Sequence, residues 1–338
     1  MVFKCASCGS CMIYNFEKNT LECPNCGSTG QPEPHADSKD NFTICPICGG
    51  ELPLGQFGSA CKCGYCDSYV VSDVRTSGEY VPAAIVPSLI SKRTVFSLLE
   101  EKFSGYLCLI PEVFSEKRLK EVIIEYVPYW IYDFGMRASY SGELRRSTEL
   151  GSRTRIDKYH IEKVMDIEMG SVPVDASDKM PDDIMDELEP FDLSTAIPFR
   201  QEFLSGSESE IFNRESEYYK EEASLKASDK AYDFIYNDIS KQYRDLDGLS
   251  RDSIPDCTSL NITTLDRKYY LLPVYKYSYL LRSGKSYDYY VNGQTREIYG
   301  KAPISRQRLI TACAATVTAF AGIAAIIVTI MMAVGGAL

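Results

Sequence analysis

Two stretches near the start of the chain decide the fold: CASCGSCMIYNFEKNTLECPNC at residues 5–26 and CPICGGELPLGQFGSACKCGYC at residues 45–66. Laid on each other with an offset of 40 residues, they place four cysteines at equivalent positions. Each stretch holds two C-x-x-C pairs separated by fourteen residues, and a glycine or a small polar residue follows each pair. The stretches are therefore two copies of one short structural unit.

The repeated cysteines have the spacing of metal ligands. Two C-x-x-C turns on adjacent hairpins can close a tetrahedron of four thiolates around one ion, with bonds of about 2.3 Å. We therefore predict two Zn²⁺ ions per chain, with iron as the alternative that a sulfur tetrahedron also accepts. Four protein ligands leave no open position, so the ions are expected to be structural and to replace a hydrophobic core. The predicted ligands are the eight repeated cysteines, Cys5, Cys8, Cys23, Cys26, Cys45, Cys48, Cys63 and Cys66.

The remaining cysteines do not suggest a disulfide scaffold. Ten of the 13 cysteines lie within residues 5–66 of a long chain without a signal peptide, which indicates metal binding in a reducing compartment. Cys11 and Cys61 have no equivalent in the other copy, and we expect ordinary thiols there, with a redox switch as the alternative. Neither His35 nor His160 has metal-ligand spacing.

Composition and charge bound the function. Hydrophobic residues make up 45% and charged residues 25% of 338 residues, which excludes wholesale disorder and a multi-span membrane protein. The 36 basic and 47 acidic residues give a net charge of −11. Residues 1–70 hold four basic and seven acidic side chains, so phosphate binding is disfavoured even in the region of the cysteine repeat.

A second decisive stretch is LITACAATVTAFAGIAAIIVTIMMAVGGAL at residues 309–338, which contains no charge. Crossing the hydrocarbon core takes about 20 apolar residues, so we predict a transmembrane helix over 309–334 that acts as a tail anchor in the lipid bilayer. The alternative is a buried core helix. Lys301, Arg306 and Arg308 precede the stretch, and no basic residue follows it. This bias predicts a single-pass protein of the cell membrane whose N-terminal domains are cytoplasmic.

The middle of the chain mixes helix and strand patterns. Residues 91–103 and 216–243 read as helices, whereas residues 120–146 are rich in β-branched and aromatic residues and read as strands. Residues 267–299 read as an antiparallel meander in which Asn292-Gly293 forms a type I′ turn. The predicted fold class is α+β with flanking helices. The predicted domains are zinc ribbon 1 (1–30), a linker (31–42), zinc ribbon 2 (43–74), a mainly antiparallel central domain (79–305) and the transmembrane helix (309–334).

No set of side chains predicts catalysis. Gly284-Lys285-Ser286 resembles the end of a phosphate-binding loop, but Tyr279 stands where the first glycine is needed, so the segment reads as a hairpin turn. Cys108, Cys257 and His160 lack an activating signature for a cysteine nucleophile. We expect a protein that is not an enzyme.

Several features together carry a resemblance: the paired ribbons, the anchor and the segments YVPYWIYD (126–133), ASYSG (138–142), VPVDAS (172–177), LEPFD (188–192), FLSG (203–206), LLPVY (271–275) and VNGQT (291–295). Along essentially its whole length, the chain resembles a bacterial family of double zinc-ribbon, C-terminally membrane-anchored proteins. Members carry primosomal-helicase-like or transcription-factor-IIB-like labels because of their ribbons, and some are associated with phage-shock and SPFH (flotillin-like) membrane-stress systems. The resemblance implies protein assembly at the inner membrane face.

Two functions follow as hypotheses. The first is a non-enzymatic membrane-tethered adaptor that recruits other membrane-associated proteins, of SPFH or phage-shock type, in envelope stress. The second is a nucleic-acid-binding protein, related to replication or transcription, that the anchor holds at the membrane. The sequence leaves open whether the protein forms a homo-oligomer or a hetero-oligomer.

Overall fold

The computed structural model describes residues 1–32, 43–106, 110–281 and 284–335. The predicted linker over 31–42 therefore lies almost wholly outside the described residues, as do His35 and Cys108. The chain divides into two compact units. Unit one comprises Met1–Pro87, Tyr126–Met185 and Asp192–Pro273, and unit two comprises Ser88–Glu125, Asp186–Phe191 and Val274–Leu338.

The strands and helices confirm the α+β class. Four α-helices lie within the described residues: α1 (Lys92–Phe103), α2 (Asp182–Leu188), α3 (Ser216–Gln242) and α4 (Arg306–Gly335). The strands are β1 (Ile13–Asn15), β2 (Thr20–Glu22), β3 (Thr29–Gly30), β4 (Gly58–Lys62), β5 (Tyr69–Val71), β6 (Ala84–Ile85), β7 (Ile123–Leu150), β8 (Arg153–Asp175), β9 (Ile197–Pro198), β10 (Glu208–Glu210), β11 (Thr258–Leu280), β12 (Ser286–Asn292) and β13 (Ile298–Tyr299).

Unit one contains a small sheet and a large one. Strands β1, β2 and β3 form an antiparallel sheet in the first ribbon. The large sheet has the order β11-β7-β10-β4-β5, so the two strands of the second ribbon are part of the body sheet. β8 pairs antiparallel with β7 from Tyr129↔Asp175 to Leu150↔Arg153, which makes one long hairpin. β6 pairs parallel with the middle of β11, at Tyr270 and Leu271.

Helix α3 packs against the long hairpin through small residues. Ala223, Ala227 and Ala231 are fully buried at intervals of four, so the helix backbone can approach the sheet closely. The end of the helix is held by Lys163 on β8, whose ammonium pairs with Asp238 and donates to Gln242 Oε1 at 2.7 Å. The opposite face of α3 is open to solvent, and its extent, Ser216–Gln242, confirms the helix predicted over 216–243.

Unit two is an aromatic core beneath α1. The helix begins at Ser91, whose hydroxyl accepts from the Thr94 backbone N–H, and ends at Phe103 as predicted. Leu99 and Phe103 pack against Tyr277 and Tyr289 of β11 and β12, whose rings stack with centroids 5.8 Å apart. The predicted meander is present: β12 pairs antiparallel with both β11 and β13.

The turn between β12 and β13 is not the predicted two-residue type I′ turn. The Asn292 backbone N–H donates to Glu297 O at 2.9 Å, and Arg296 takes the left-handed conformation with φ 70°. The Asn292 side chain explains the longer loop because Oδ1 accepts from the backbone N–H groups of Gln294 and Thr295. Its Nδ2 donates to Leu188 O at 2.8 Å, so this asparagine is a buried connection within unit two.

Two candidate metal centres

All four C-x-x-C turns have the same backbone geometry. The N–H of each first cysteine donates five residues ahead, for example from Cys5 to Ser10 O at 2.8 Å, and its carbonyl accepts from the residue four ahead. That fourth residue needs a positive φ, which Gly9, Gly27 and Gly49 supply at 72–75°. Asp67 supplies it in the fourth turn with φ 58°. The small or polar residue after each pair is therefore required by the backbone.

The turns bring the eight predicted cysteines together in two sets. Cys5, Cys8, Cys23 and Cys26 form centre 1, and Cys45, Cys48, Cys63 and Cys66 form centre 2. Within each set the four Sγ atoms lie within 4.8 Å of one another.

The sulfur spacing fits a tetrahedral ion. Sγ–Sγ distances between the two turns of a set are 3.5 and 3.6 Å in centre 1 and 3.7 Å for both pairs in centre 2. Four bonds of about 2.3 Å to one ion would separate tetrahedral sulfurs by about 3.8 Å. Disulfides would bring paired sulfurs to about 2.05 Å. Both sets can therefore hold a metal ion, and their donors suit zinc.

Burial differs within each turn. The first cysteine of each pair is buried, whereas Cys8, Cys26 and Cys48 are exposed and Cys66 is half-buried. Hydrogen bonds from the Ser10 side chain and backbone lower the pKa of Cys8 to about 6, and burial raises the pKa of Cys45 to about 12. A bound cation favours the thiolate at both kinds of position, so ion binding would offset the cost of burying sulfur charge.

The first ribbon is hydrogen-bonded to the FLSG segment of unit one. The Tyr14 backbone N–H donates to Ser205 O at 2.7 Å, and the Ser205 hydroxyl donates to Met12 O at 2.7 Å. Arg200 Nη2 donates to the Tyr14 hydroxyl at 2.8 Å, and its guanidinium carbon lies 4.5 Å from the centre of the Phe203 ring. Ribbon 1 is therefore an integral part of the unit rather than a pendant module.

Gly206 tests this docking. It has φ +112°, and a Cβ placed there would lie 3.0 Å from Ile13 Cβ. We expect Gly206→Ala to lower the free energy of unfolding by roughly 1–3 kcal/mol because alanine meets both backbone strain and a close contact. Denaturant unfolding measures the change. Gly55→Ala is the matched control, since its Cβ would meet nothing within 4 Å; equal losses in both variants would contradict the role of Gly206.

Cys11 and Cys61, the two cysteines without an equivalent in the other copy of the repeat, lie beside centre 2. Cys61 is buried on β4 in an apolar cluster with Val2, Leu52 and Val70, and half-buried Cys11 packs against that cluster. Burial raises the pKa of Cys61 to about 12, which disfavours the reactive thiolate. Cys11 and Cys61 are packed in the same region as centre 2, so only the repeat spacing distinguishes them from the four cysteines of that set in the sequence.

Helix α4 is the second functional element. Its segment Arg308–Val328 has 21 residues and a mean hydropathy of 2.1, and none of that segment is buried against the described chain. Thr316 and Thr318 donate their hydroxyl protons to helix carbonyls at 2.8–3.1 Å, so these polar groups are satisfied within the helix. By length and composition, this helix can cross a membrane.

The chain is similar to one Bacillus subtilis protein over most of its length. The identity to the uncharacterized protein YdjG of strain 168 is 29% over 325 residues, which covers 91% of each chain. No family model matches the sequence. No solved structure matches it.

The histidine and cysteine weighed for catalysis lie at the base of the exposed hairpin. His160 Nε2 lies 3.4 Å from Ser141 Oγ and 3.2 Å from Glu162 Oε1. The Cys257 carbonyl accepts from the Ser141 backbone N–H at 2.9 Å. Nothing local in the sequence marks the attachment residues Arg200 and Ser205, because they contact Tyr14 and Met12, more than 180 residues away.

Proposed function

We propose that the protein is a non-enzymatic adaptor, held on the cytoplasmic face of the cell membrane by α4, that recruits other membrane-associated proteins. Two structural zinc ions shape its N-terminal ribbons. The observation that carries this proposal is the combination of two closed four-cysteine sets with an exposed apolar helix. A closed set offers no coordination position to a substrate, so its ion serves folding rather than chemistry.

Tethering makes a modest interface sufficient. A protein confined to a surface meets other membrane proteins at a raised effective concentration, so weak contacts give useful occupancy. The resemblance to zinc-ribbon membrane proteins suggests partners of phage-shock or SPFH type, in homo- or hetero-oligomers.

The partner surface that we propose is the solvent face of α3. Tyr218 and Leu225 are 62% and 66% exposed and stand seven residues apart, on one side of a 27-residue helix. Exposed apolar side chains on a rigid element are typical of interaction surfaces. Ion pairs fix this helix, for example Arg251 with Asp229 at 2.5 Å, so little order is lost on binding.

Affinity purification after cross-linking in cells tests the adaptor function. We expect the full chain to recover a membrane-associated protein, with recovery reduced about tenfold by Tyr218→Ser combined with Leu225→Ser and by removal of residues 309–338. The matched control replaces two exposed polar residues of the same helix that lie at least 100° around it from Tyr218, Lys230→Ser and Asn237→Ser, and should leave recovery unchanged. Recovery of the same proteins at equal yield by all variants, or of none by the full chain, would contradict the adaptor proposal.

The alternative, nucleic-acid binding through the ribbons, has weaker support. Lys18 pairs with Glu22 at 2.7 Å and Lys62 pairs with Asp67 at 2.6 Å, so acidic partners neutralise two of the ribbon lysines. Affinity for a phosphate backbone comes mainly from basic contacts that release counterions. The alternative requires DNA or RNA binding at low salt that weakens as salt rises.

A further inference from the structure

The end of the long β7–β8 hairpin, residues 144–159, is here called the hairpin tip. Side chains of β7 alternate between buried and exposed from Met136 to Leu144, and from Arg145 to Leu150 all are exposed. On β8, Arg153–Arg155, Ile156 and Lys158–His160 are likewise exposed. The six exposed residues at the end of β7, 145–150, therefore span roughly 20 Å. A two-stranded ribbon without a packed face is only marginally stable in water, so a ligand surface would explain its retention.

The hairpin tip is basic in an acidic protein. It contains five basic and two acidic side chains, a net charge of +3, whereas the whole chain carries −11. Its ion pairs are exposed, including Arg155 with Asp157 at 2.9 Å and Lys158 with Glu143 at 3.0 Å. Such pairs are weak, so the basic groups can exchange them for a stronger anion.

The same tip exposes aliphatic side chains. Leu150, next to the turn at Gly151, is 61% exposed. Ile156 is 57% exposed and pairs with Ser147, so it lies on the other face of the hairpin. The strand register places Leu150 opposite Arg153 and Thr148 opposite Arg155, so Leu150 shares a face with these arginines. Apolar tips ringed by basic groups match a membrane interface, where the aliphatic groups enter between lipids and the guanidiniums meet phosphates.

We propose that the hairpin tip binds the surface of an anionic phospholipid bilayer. Leu150 enters the headgroup region, and Arg146, Arg153 and Arg155 on the same face contact lipid phosphates. The exposed Leu150 side chain favours lipid over nucleic acid, whose backbone offers it no apolar environment. This proposal goes beyond the adaptor function. It rests on the proposed membrane tether in one respect, because the tether is the reason for choosing an anionic lipid over other anionic ligands.

A tryptophan at the tip tests the proposal in the full chain. The one native tryptophan, Trp130, is 8% exposed, so Leu150→Trp introduces the accessible indole. The protein is reconstituted into vesicles that contain brominated zwitterionic lipid, with or without one-third phosphatidylglycerol. We expect quenching of the new indole in the anionic vesicles, at least about fivefold less in the zwitterionic ones, and a decrease as salt is raised.

Charge variants identify the contact. Arg146→Gln, Arg153→Gln and Arg155→Gln together should reduce quenching at least about fivefold. The matched control makes the same charge change at exposed α3 positions, with Lys220→Gln, Lys230→Gln and Lys241→Gln, and should quench like the parent. Equal quenching in both lipids, no quenching, an equal loss in the control, or displacement by a single-stranded oligonucleotide would overturn the proposal. Vesicle flotation tests the membrane tether independently of the tip. Protein that floats with the vesicles but shows no quenching would contradict the tip proposal and leave the tether supported.

Discussion

Full-length protein carrying Cys48→Ser is expected to hold one metal ion instead of two and to lose the structure of ribbon 2. Cys48 is an exposed member of centre 2, so the substitution removes a ligand without disturbing a packed core. Binding of a structural zinc ion to a small domain is worth about 10–16 kcal/mol, comparable with the whole stability of a domain, about 5–15 kcal/mol. Elemental analysis counts the metal ions per chain. Limited proteolysis measures the loss of structure in ribbon 2, because cleavage near Lys62 should become faster.

The loss should spread from ribbon 2 into unit one. β4 pairs with β10 and β5, so the ribbon strands are an edge of the body sheet. Replacing Cys8 in the same way should remove the other ion and weaken the Tyr14–Ser205 attachment instead. Cys11→Ser is the matched control, because Cys11 belongs to neither set, and it should keep two ions. Two ions per chain in the Cys48→Ser protein would refute the ligand assignment, and iron in the wild-type protein would replace zinc in the proposal.

The two four-cysteine sets were predictable because the sequence information that shapes each turn is local. Each turn is specified within six residues by two cysteines and a position that accepts a positive φ, and the 40-residue repeat identified both sets. Helix α1 was predictable for the same reason, since its cap at Ser91 and its apolar spacing are both local. The residue type at the positive-φ position was less predictable from the local pattern, because Asp67 stands where the other three turns have glycine.

The long hairpin was only half predictable. β7 is rich in buried aromatic residues such as Tyr132 and Phe134, which mark a strand. β8 is mostly exposed and charged, so it lacks the alternation of apolar and polar residues that identifies a half-buried strand. The available signal was the two-residue Gly151-Ser152 connection, which suits a hairpin turn. The basic tip was not predictable either, because its arginines come from both strands and form one surface only when β7 and β8 pair.

Contacts between distant segments could not be read from the sequence. Arg200 and Ser205 appear there as an ordinary loop, yet they hold ribbon 1 through Tyr14 and Met12. Asn292 suggested a short turn, whereas its side chain connects to Leu188 about 100 residues away. At that position the buried hydrogen bonds of the side chain determine the loop more than the local turn propensity does, since a buried amide needs hydrogen-bond partners.

Replacing Ile323 and Ile327 together by arginine is expected to release the protein from the membrane. The two residues lie one turn apart on α4 and are half-exposed. Each arginine near the centre of a transmembrane helix costs about 2.5–3.5 kcal/mol, and each lost isoleucine removes a further few tenths. The sum of about 7 kcal/mol corresponds to roughly a 10⁵-fold change in the insertion equilibrium. Alkaline extraction and flotation of cell membranes measure the fraction that remains inserted.

The matched control and the metal content decide what such a release means. Ile323→Leu with Ile327→Leu keeps the segment apolar and should stay in the membrane fraction. The released arginine variant should still hold two metal ions, because both centres lie in unit one and α4 belongs to unit two. Wild-type protein that is already soluble with residues 309–338 intact would contradict the anchor, and loss of the ions on release would mean that the membrane supports the ribbons. If release preserves the ions but abolishes partner recovery, α4 supplies location and the ribbon-bearing unit supplies the fold, which is the division of roles that a tethered adaptor requires.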